Sequence, residues 1–167
     1  MVCGRPSCKL CLLGMTPEKK AVPCHRTNVG YGIQCTRTPC YNNGAYVATY
    51  QGESSKSGYT RIGQHWELYL RNTQKAKEAS WMWEHTNERH GGQKGEDNGI
   101  KDYTPVLYSS FNDCLTRILD ESTRIKTIYD DKDMLCLNTI LSYFKPEFVR
   151  LVAERGLWDE LGLRKSR

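Results

Sequence analysis

The spacing of apolar positions changes several times along the chain, and each change predicts an element. Residues 28–35, NVGYGIQC, alternate with period two and predict a short strand. TRTPCYNNG follows; its Pro39 and Asn43-Gly44 pair predict a turn, because Asn-Gly accepts the positive φ of a tight hairpin. AYVATYQG returns as a second strand over 45–51, ended by Gly52. After the polar loop ESSKSG, the residues Ile62, Trp66, Tyr69 and Leu70 recur at helical spacing and predict a helix from Tyr59 to Asn72. KAKEASWMWEHTNERH predicts a second helix, with Ala79, Met82 and Trp83 on one side and His90-Gly91-Gly92 as its stop. KDYTPVLYS predicts a third strand, and Pro105 assigns it to a sheet edge because proline has no amide to donate.

Ser110 with Asp113 has the form of a capping box. It opens a helix whose apolar stripe is Phe111, Leu115, Ile118, Ile125 and Tyr129, interrupted at Ser122. YDDKD breaks that helix, and MLCLNTILSYF is an apolar segment around Asn138. Pro146 suits the first turn of a last helix over 146–155, which Gly156 stops. The order β-β-α-α-β-α-α predicts an α+β fold, a small and mainly antiparallel three-stranded sheet flanked by helices.

Composition narrows the function classes. A chain of 167 residues suits one compact domain, or one domain plus a small appendage. No run of 18 apolar residues offers a membrane-spanning helix. The opening MVCGRPSCKLCLLGM lacks the apolar stretch of a signal peptide, so the expected location is intracellular, and nuclear in a eukaryote. The net charge of +5 is unevenly placed: residues 1–60 carry seven Lys/Arg against two Asp/Glu, and the remainder is balanced. A basic N-terminal third suits a polyanion such as nucleic acid.

Six of the eight cysteines also lie in the first 40 residues, where no apolar period could build a core over 1–27. Cysteines clustered in a reducing compartment bind metal more often than they form disulfides. Cys3-x4-Cys8-x2-Cys11-x12-Cys24 has the spacing of a closed, structural four-cysteine zinc knuckle. Such a metal contributes roughly 10–16 kcal/mol of apparent binding energy, enough to order a coreless segment. Cys35 and Cys40, straddling the hairpin turn, are the alternative second pair, and His25 is an alternative ligand. Cys114 and Cys136 read as core cysteines. His85-x4-His90, with Glu84 and Glu88, has the spacing of half a zinc finger but no cysteine pair close before it, and reads as an exposed helix end. Trp81 and Trp83 read as packing in the core or against substrate.

The hairpin and its helix carry a resemblance. Val29, Gly30, Tyr31, Gly32 and Ile33 on the first strand, Tyr50, Gln51 and Gly52 ending the second, and the stretch YQGESSKSGYTRIGQHW resemble a GIY-YIG nuclease. RILDESTRI and the later LN resemble that family's metal-binding glutamate helix and downstream asparagine, so the resemblance covers about residues 28–140. The cysteine cluster running into an NVxYxIxC strand is similar to the endonuclease part of Penelope-like retroelements and related mobile-element proteins. The resemblance implies three segments: a zinc knuckle over 1–27, a nuclease domain over 28–145 and a C-terminal helical extension over 146–167. It also implies hydrolysis of DNA phosphodiesters, in double-stranded or branched substrates, with one Mg²⁺ beside the structural Zn²⁺.

Roles follow from the same resemblance. Tyr31 helps activate the attacking water, Tyr50 and His65 position groups or relay protons, and Arg61 clamps the phosphate with its planar fork. Glu121 holds Mg²⁺, Asn138 orients the loop or the substrate, and Gly52 and Lys56 lie on the nucleic-acid side. Elementary chemistry agrees with such a set, since phosphodiester hydrolysis needs an activated water and neutralised charge at phosphorus. Arg61 and His65 stand i, i+4 on one helix face. Each residue alone has an ordinary reading: cross-strand packing for the tyrosines, and an ion-pair network for Glu121 between Arg117 and Arg124. Gly32 and Gln51 depart from the family's usual residues at their positions. The alternative function is a zinc-containing nucleic-acid-binding module without catalysis.

Overall fold

The computed structural model describes residues 3–13, 22–42 and 45–138. The turn pair Asn43-Gly44, the helix expected over 146–155 and the C-terminal extension lie outside the described residues. The elements run α1 (Lys9–Leu13), β1 (Val29–Cys35), β2 (Tyr41–Asn42), β3 (Ala45–Tyr46), β4 (Ala48–Ser54), α2 (Gly58–Leu70), α3 (Gln74–Glu78), α4 (Trp81–His90), β5 (Tyr103–Ser110), α5 (Cys114–Asp130) and β6 (Leu135–Cys136). The fold is α+β, with a four-stranded sheet in the order β5-β1-β4-β6 and a small ribbon of β2 and β3 between β1 and β4. β1 is antiparallel to β4 and to β5, as the alternation predicts. The sheet differs from the expected three strands because β6 pairs parallel with Ala48 and Thr49 and makes it mixed. Pro105 does sit in an edge strand. Among the described residues, no helix is long and apolar enough to cross a membrane.

Several boundaries move for identifiable reasons. β4 runs on to Ser54, so Gly52 lies inside the strand, because Val29 and Gly30 still offer ladder partners there. The second predicted helix is two helices: Ser80 is extended, and the Ala79 amide closes α3 onto the Lys75 and Lys77 carbonyls. Ser110 stays in the β5 ladder opposite Val29. Asp113 caps α5 instead, its carboxylate accepting the Thr116 amide at 2.8 Å. The stripe expected on α5 ends early, for Tyr129 is 60% exposed and Cys114 is exposed, not core. The buried residues of α5 are Arg117, Ser122 and Ile125. Arg117 forms an ion pair with Glu53 and donates to Asn28 Oδ1 at 2.6 Å, which ties α5 to the sheet.

The sheet has two differently used faces. Val29, Tyr31, Ile33 and Cys35 alternate onto one face and form the core with Ile62, Trp66 and Tyr69 of α2 and Met82 and Trp83 of α4. Gly30 and Gly32 point to the other face, which α5 covers: the Asp120 carboxylate approaches Gly30, and the Tyr108 ring lies across Gly32. A bulge against β5 at Gly30/Tyr31 leaves Tyr108 as the extra residue and turns it onto this second face. Arg124 stacks 4.2 Å above that ring.

Candidate active site and metal centres

The hydroxyl of Tyr31 is the meeting point of three elements. Tyr31 pairs with Gly52 across the ladder, and its ring lies over that glycine, where a Cβ would overlap it. Gly52 is therefore buried and makes room for a ring. Of the two residues expected on the nucleic-acid side, Gly52 is thus buried within β4, while Lys56 stands exposed in the β4–α2 loop. Ser57 caps α2 through the Thr60 amide and sets the helix so that Arg61 and His65 both face Tyr31. His65 Nε2 lies 2.8 Å from Tyr31 Oη, and Arg61 Nε donates to the same oxygen at 3.1 Å. The Tyr50 ring lies 6.2 Å from that of Tyr31 and meets the His65 ring edge-on at 5.4 Å. It also stacks on Trp81 at 4.6 Å with the planes 3° apart.

Burial sets the electrostatics here. It raises the phenol of Tyr31 well above the ordinary tyrosine range; the Tyr50 charge adds to this and Arg61 opposes it. Tyr50 is raised by burial first and by the Glu121 carboxylate second, with Arg61 again opposing. His65 is driven down to about 3, by burial and then by the neighbouring guanidinium, so its ring is neutral at any ordinary pH. The cluster thus holds two protonated phenols, one neutral imidazole and one fixed cation in a largely dry setting.

Glu121 and Asn138 stand differently from the expectation. Glu121 belongs to α5, whose neighbours Arg117, Asp120 and Arg124 all engage the second sheet face, whereas Arg61 and His65 stand on the first. Its charge nevertheless acts on both tyrosine hydroxyls. Asn138 accepts the Gln51 amide at 2.7 Å and returns its own amide to the Gln51 carbonyl at 2.5 Å. It continues β6 as a mimic of a strand residue and is buried, so it holds the edge of β4. The two sequence departures face one another in the ladder, Gly32 opposite Gln51. Tyr108 accounts for both, its ring lying in the space above Gly32 and its hydroxyl accepting from Gln51 Nε2 at 3.2 Å.

Among the described residues, two groups of side chains could hold a metal ion, and in each the ligand atoms all lie within 4.8 Å of one another. Cys3, Cys8, Cys11 and Cys24 form the first, as the spacing predicts. Cys35, Cys40, His85 and His90 form the second. Cys35 and Cys40 therefore do not supplement the knuckle, and His85, 3% exposed, is not part of an exposed helix end. Within the second group Cys35 Sγ lies 3.3 Å from His90 Nε2, and Cys40 Sγ lies 3.4 Å from His85 Nε2 and 3.8 Å from His90 Nε2. A tetrahedral zinc with ordinary Zn–S and Zn–N bonds needs ligand edges of roughly 3.3–3.8 Å. Cys11 and Cys24 of the first group lie 3.9 Å apart.

The protonation states fit the same chemistry. Burial pushes Cys35 up to about 12 and raises Cys40, so neither thiolate is stable there without a cation. Burial drives His85 down to about 4 and lowers His90, which keeps both imidazoles neutral, the form that binds metal. In the first group Cys3 is lowered to about 6, chiefly by the Arg5 amide, while Cys8 and Cys24 are raised by burial.

Sequence spacing alone could not pair Cys35 and Cys40 with histidines some 45 to 55 residues away. The signal that existed was the finger-like interval between His85 and His90. Trp81 and Tyr108 carried no motif. Compared with protein-family models, with curated proteins and with solved structures, the chain matches none of them.

Proposed function

We propose that this chain is a divalent-metal-dependent endonuclease of the GIY-YIG type that hydrolyses DNA phosphodiesters, with structural zinc in both Cys/His groups. The observation that carries the reading is the convergence of Arg61 and His65 on the Tyr31 hydroxyl, with the Tyr50 ring packed beside them, from two strands and one helix. Those are the groups that the resemblance implies, and the sequence separates them by as many as 34 residues. Arg61 keeps its charge at any pH and can turn its outer nitrogens to a phosphate while its Nε holds Tyr31. The phenols are the proton-bearing groups beside it, and the half-dry setting strengthens every polar contact made there.

Glu121 is the residue that would hold Mg²⁺; the ion, when bound, neutralises charge on the phosphate oxygens. Beyond Gln51 no described strand covers the outer edge of β4, and the Glu121 charge raises the Tyr50 phenol. We expect purified protein with Mg²⁺ to nick supercoiled plasmid, and Arg61→Ala and Glu121→Ala each to abolish nicking without unfolding the chain. Nicking unchanged by either substitution removes that residue from the assignment.

One observation favours the second reading, a binding module without catalysis: α5 packs on the sheet face opposite the arginine. That reading requires steeply salt-dependent binding of duplex DNA and no cleavage with Mg²⁺, Mn²⁺ or Ca²⁺.

A further inference from the structure

We infer that Trp81 is a positioning residue that fixes His65 as its Nε2–H tautomer and so gives the buried hydrogen-bond chain one direction. The inference rests on the nuclease reading only for its catalytic consequence. Trp81 Nε1 lies 3.2 Å from His65 Nδ1. An indole nitrogen can donate and cannot accept, so Nδ1 must be the bare nitrogen. The ring is neutral, because its burial and the Arg61 charge exclude the imidazolium. Its one proton therefore sits on Nε2 and is donated to Tyr31 Oη at 2.8 Å. The opposite tautomer would set the indole N–H against an Nδ1–H, two donors at hydrogen-bond distance.

The consequence reaches the hydroxyls. Arg61 Nε, also a donor only, occupies Tyr31 Oη from a second side at 3.1 Å. With both lone pairs engaged, Tyr31 can only donate, and the neighbouring phenol is that of Tyr50, its ring 6.2 Å away. The chain runs Trp81 to His65 to Tyr31, every proton pointing the same way. His65 cannot take the Tyr31 proton in this arrangement, because Nε2 already carries one. Its part is to hold the Tyr31 oxygen and to stabilise negative charge that builds on it. The relay role that the resemblance implies for His65 gives way to that of a donor.

Trp81 is itself well fixed. Tyr50 stacks flat against its indole, and the Tyr103 ring meets it edge-on at 5.6 Å. The Tyr103 hydroxyl donates to the Met82 carbonyl at 2.9 Å and pins the first turn of α4. The same helix carries His85 and His90, so the second metal group anchors the far end of the element that presents Trp81.

The test is histidine ring nitrogen NMR on uniformly ¹⁵N-labelled protein, with the His65 signals assigned by their loss in His65→Gln. The wild-type chain should show a bare Nδ1 and a protonated Nε2 at neutral pH. Trp81→Phe keeps an aromatic ring against Tyr50 and removes the donor; it should mix or reverse the tautomers. A wild-type His65 protonated at Nδ1, which needs no variant to observe, overturns the inference, as does a Trp81→Phe tautomer identical to wild type.

Where the wild type cleaves DNA, Trp81→Phe should lower kcat by about tenfold to a hundredfold with KM unchanged, below the full effect of an acid–base group. A switched tautomer with unchanged kcat overturns the positioning role. If the wild type does not cleave at all, the nuclease reading falls, and the tautomer measurement alone still decides for or against Trp81 as its determinant.

Discussion

At the scale of single residues, the site is built from exclusions as much as contacts. Gly52 lacks a side chain because the Tyr31 ring occupies that space. Gly52→Ala must displace the ring or the strand, at a cost of about 1–3 kcal/mol from overpacking. Chemical denaturation should show that loss, and the Tyr31 hydroxyl should lose its register with Arg61 and His65. His65 makes a separate prediction through its proton. Its ring titrates at about 3 when folded, against an ordinary 6.5. Between those values the unfolded chain binds the extra proton, so stability rises with pH across that window and falls as the pH drops below 6.5. Melting temperatures taken from pH 7 to pH 4 should decline less steeply in His65→Gln than in the wild-type chain. Equal slopes would mean that the imidazole is not held neutral by burial. The meeting of Tyr31, Arg61 and His65 was legible because their residue types sit on predictable elements. That of Trp81 was not, because a donor on a neighbouring helix leaves no trace in spacing.

At the scale of elements, local sequence marked what would form more reliably than where it would stop. The period-two run of β1 and the helical period of α2 were legible, and both elements form. The ends moved wherever a neighbour decided them, as when Val29 keeps Ser54 and Ser110 in the ladder. The second metal group is the clearest case of that limit. Its ligands come from β1, from the segment before β2 and from α4, and only the folded sheet brings them together. Metal held there would pin α4 against β1. Elemental analysis of untagged protein should return two zinc ions per chain, and Cys40→Ser together with His85→Ala should reduce this to one. Hydrogen exchange in that double variant should quicken through α4 while the knuckle stays protected. A count of one zinc in the wild-type chain would remove the second centre.

At the scale of the whole molecule, a mixed sheet carries the tyrosine–arginine cluster on one face and the glutamate helix on the other. Fold class was legible from element order, since short strands between amphipathic helices have few ways to bury their apolar faces. The division of labour between faces was not. It depends on Gly30 and Gly32 opening one side to α5 and on a bulge that turns Tyr108 over them. Nuclease function in this architecture requires that chemistry gather at the Tyr31 hydroxyl, where β1, β4 and α2 meet. The most direct measurement is single-turnover cleavage of labelled duplex DNA in Mg²⁺ by Tyr31→Phe, which deletes one oxygen and keeps the ring over Gly52. The account predicts a rate lowered by about a hundredfold or more, with the fold retained and DNA affinity close to wild type. Cleavage at the wild-type rate would show that the reaction, wherever it occurs, does not pass through this site.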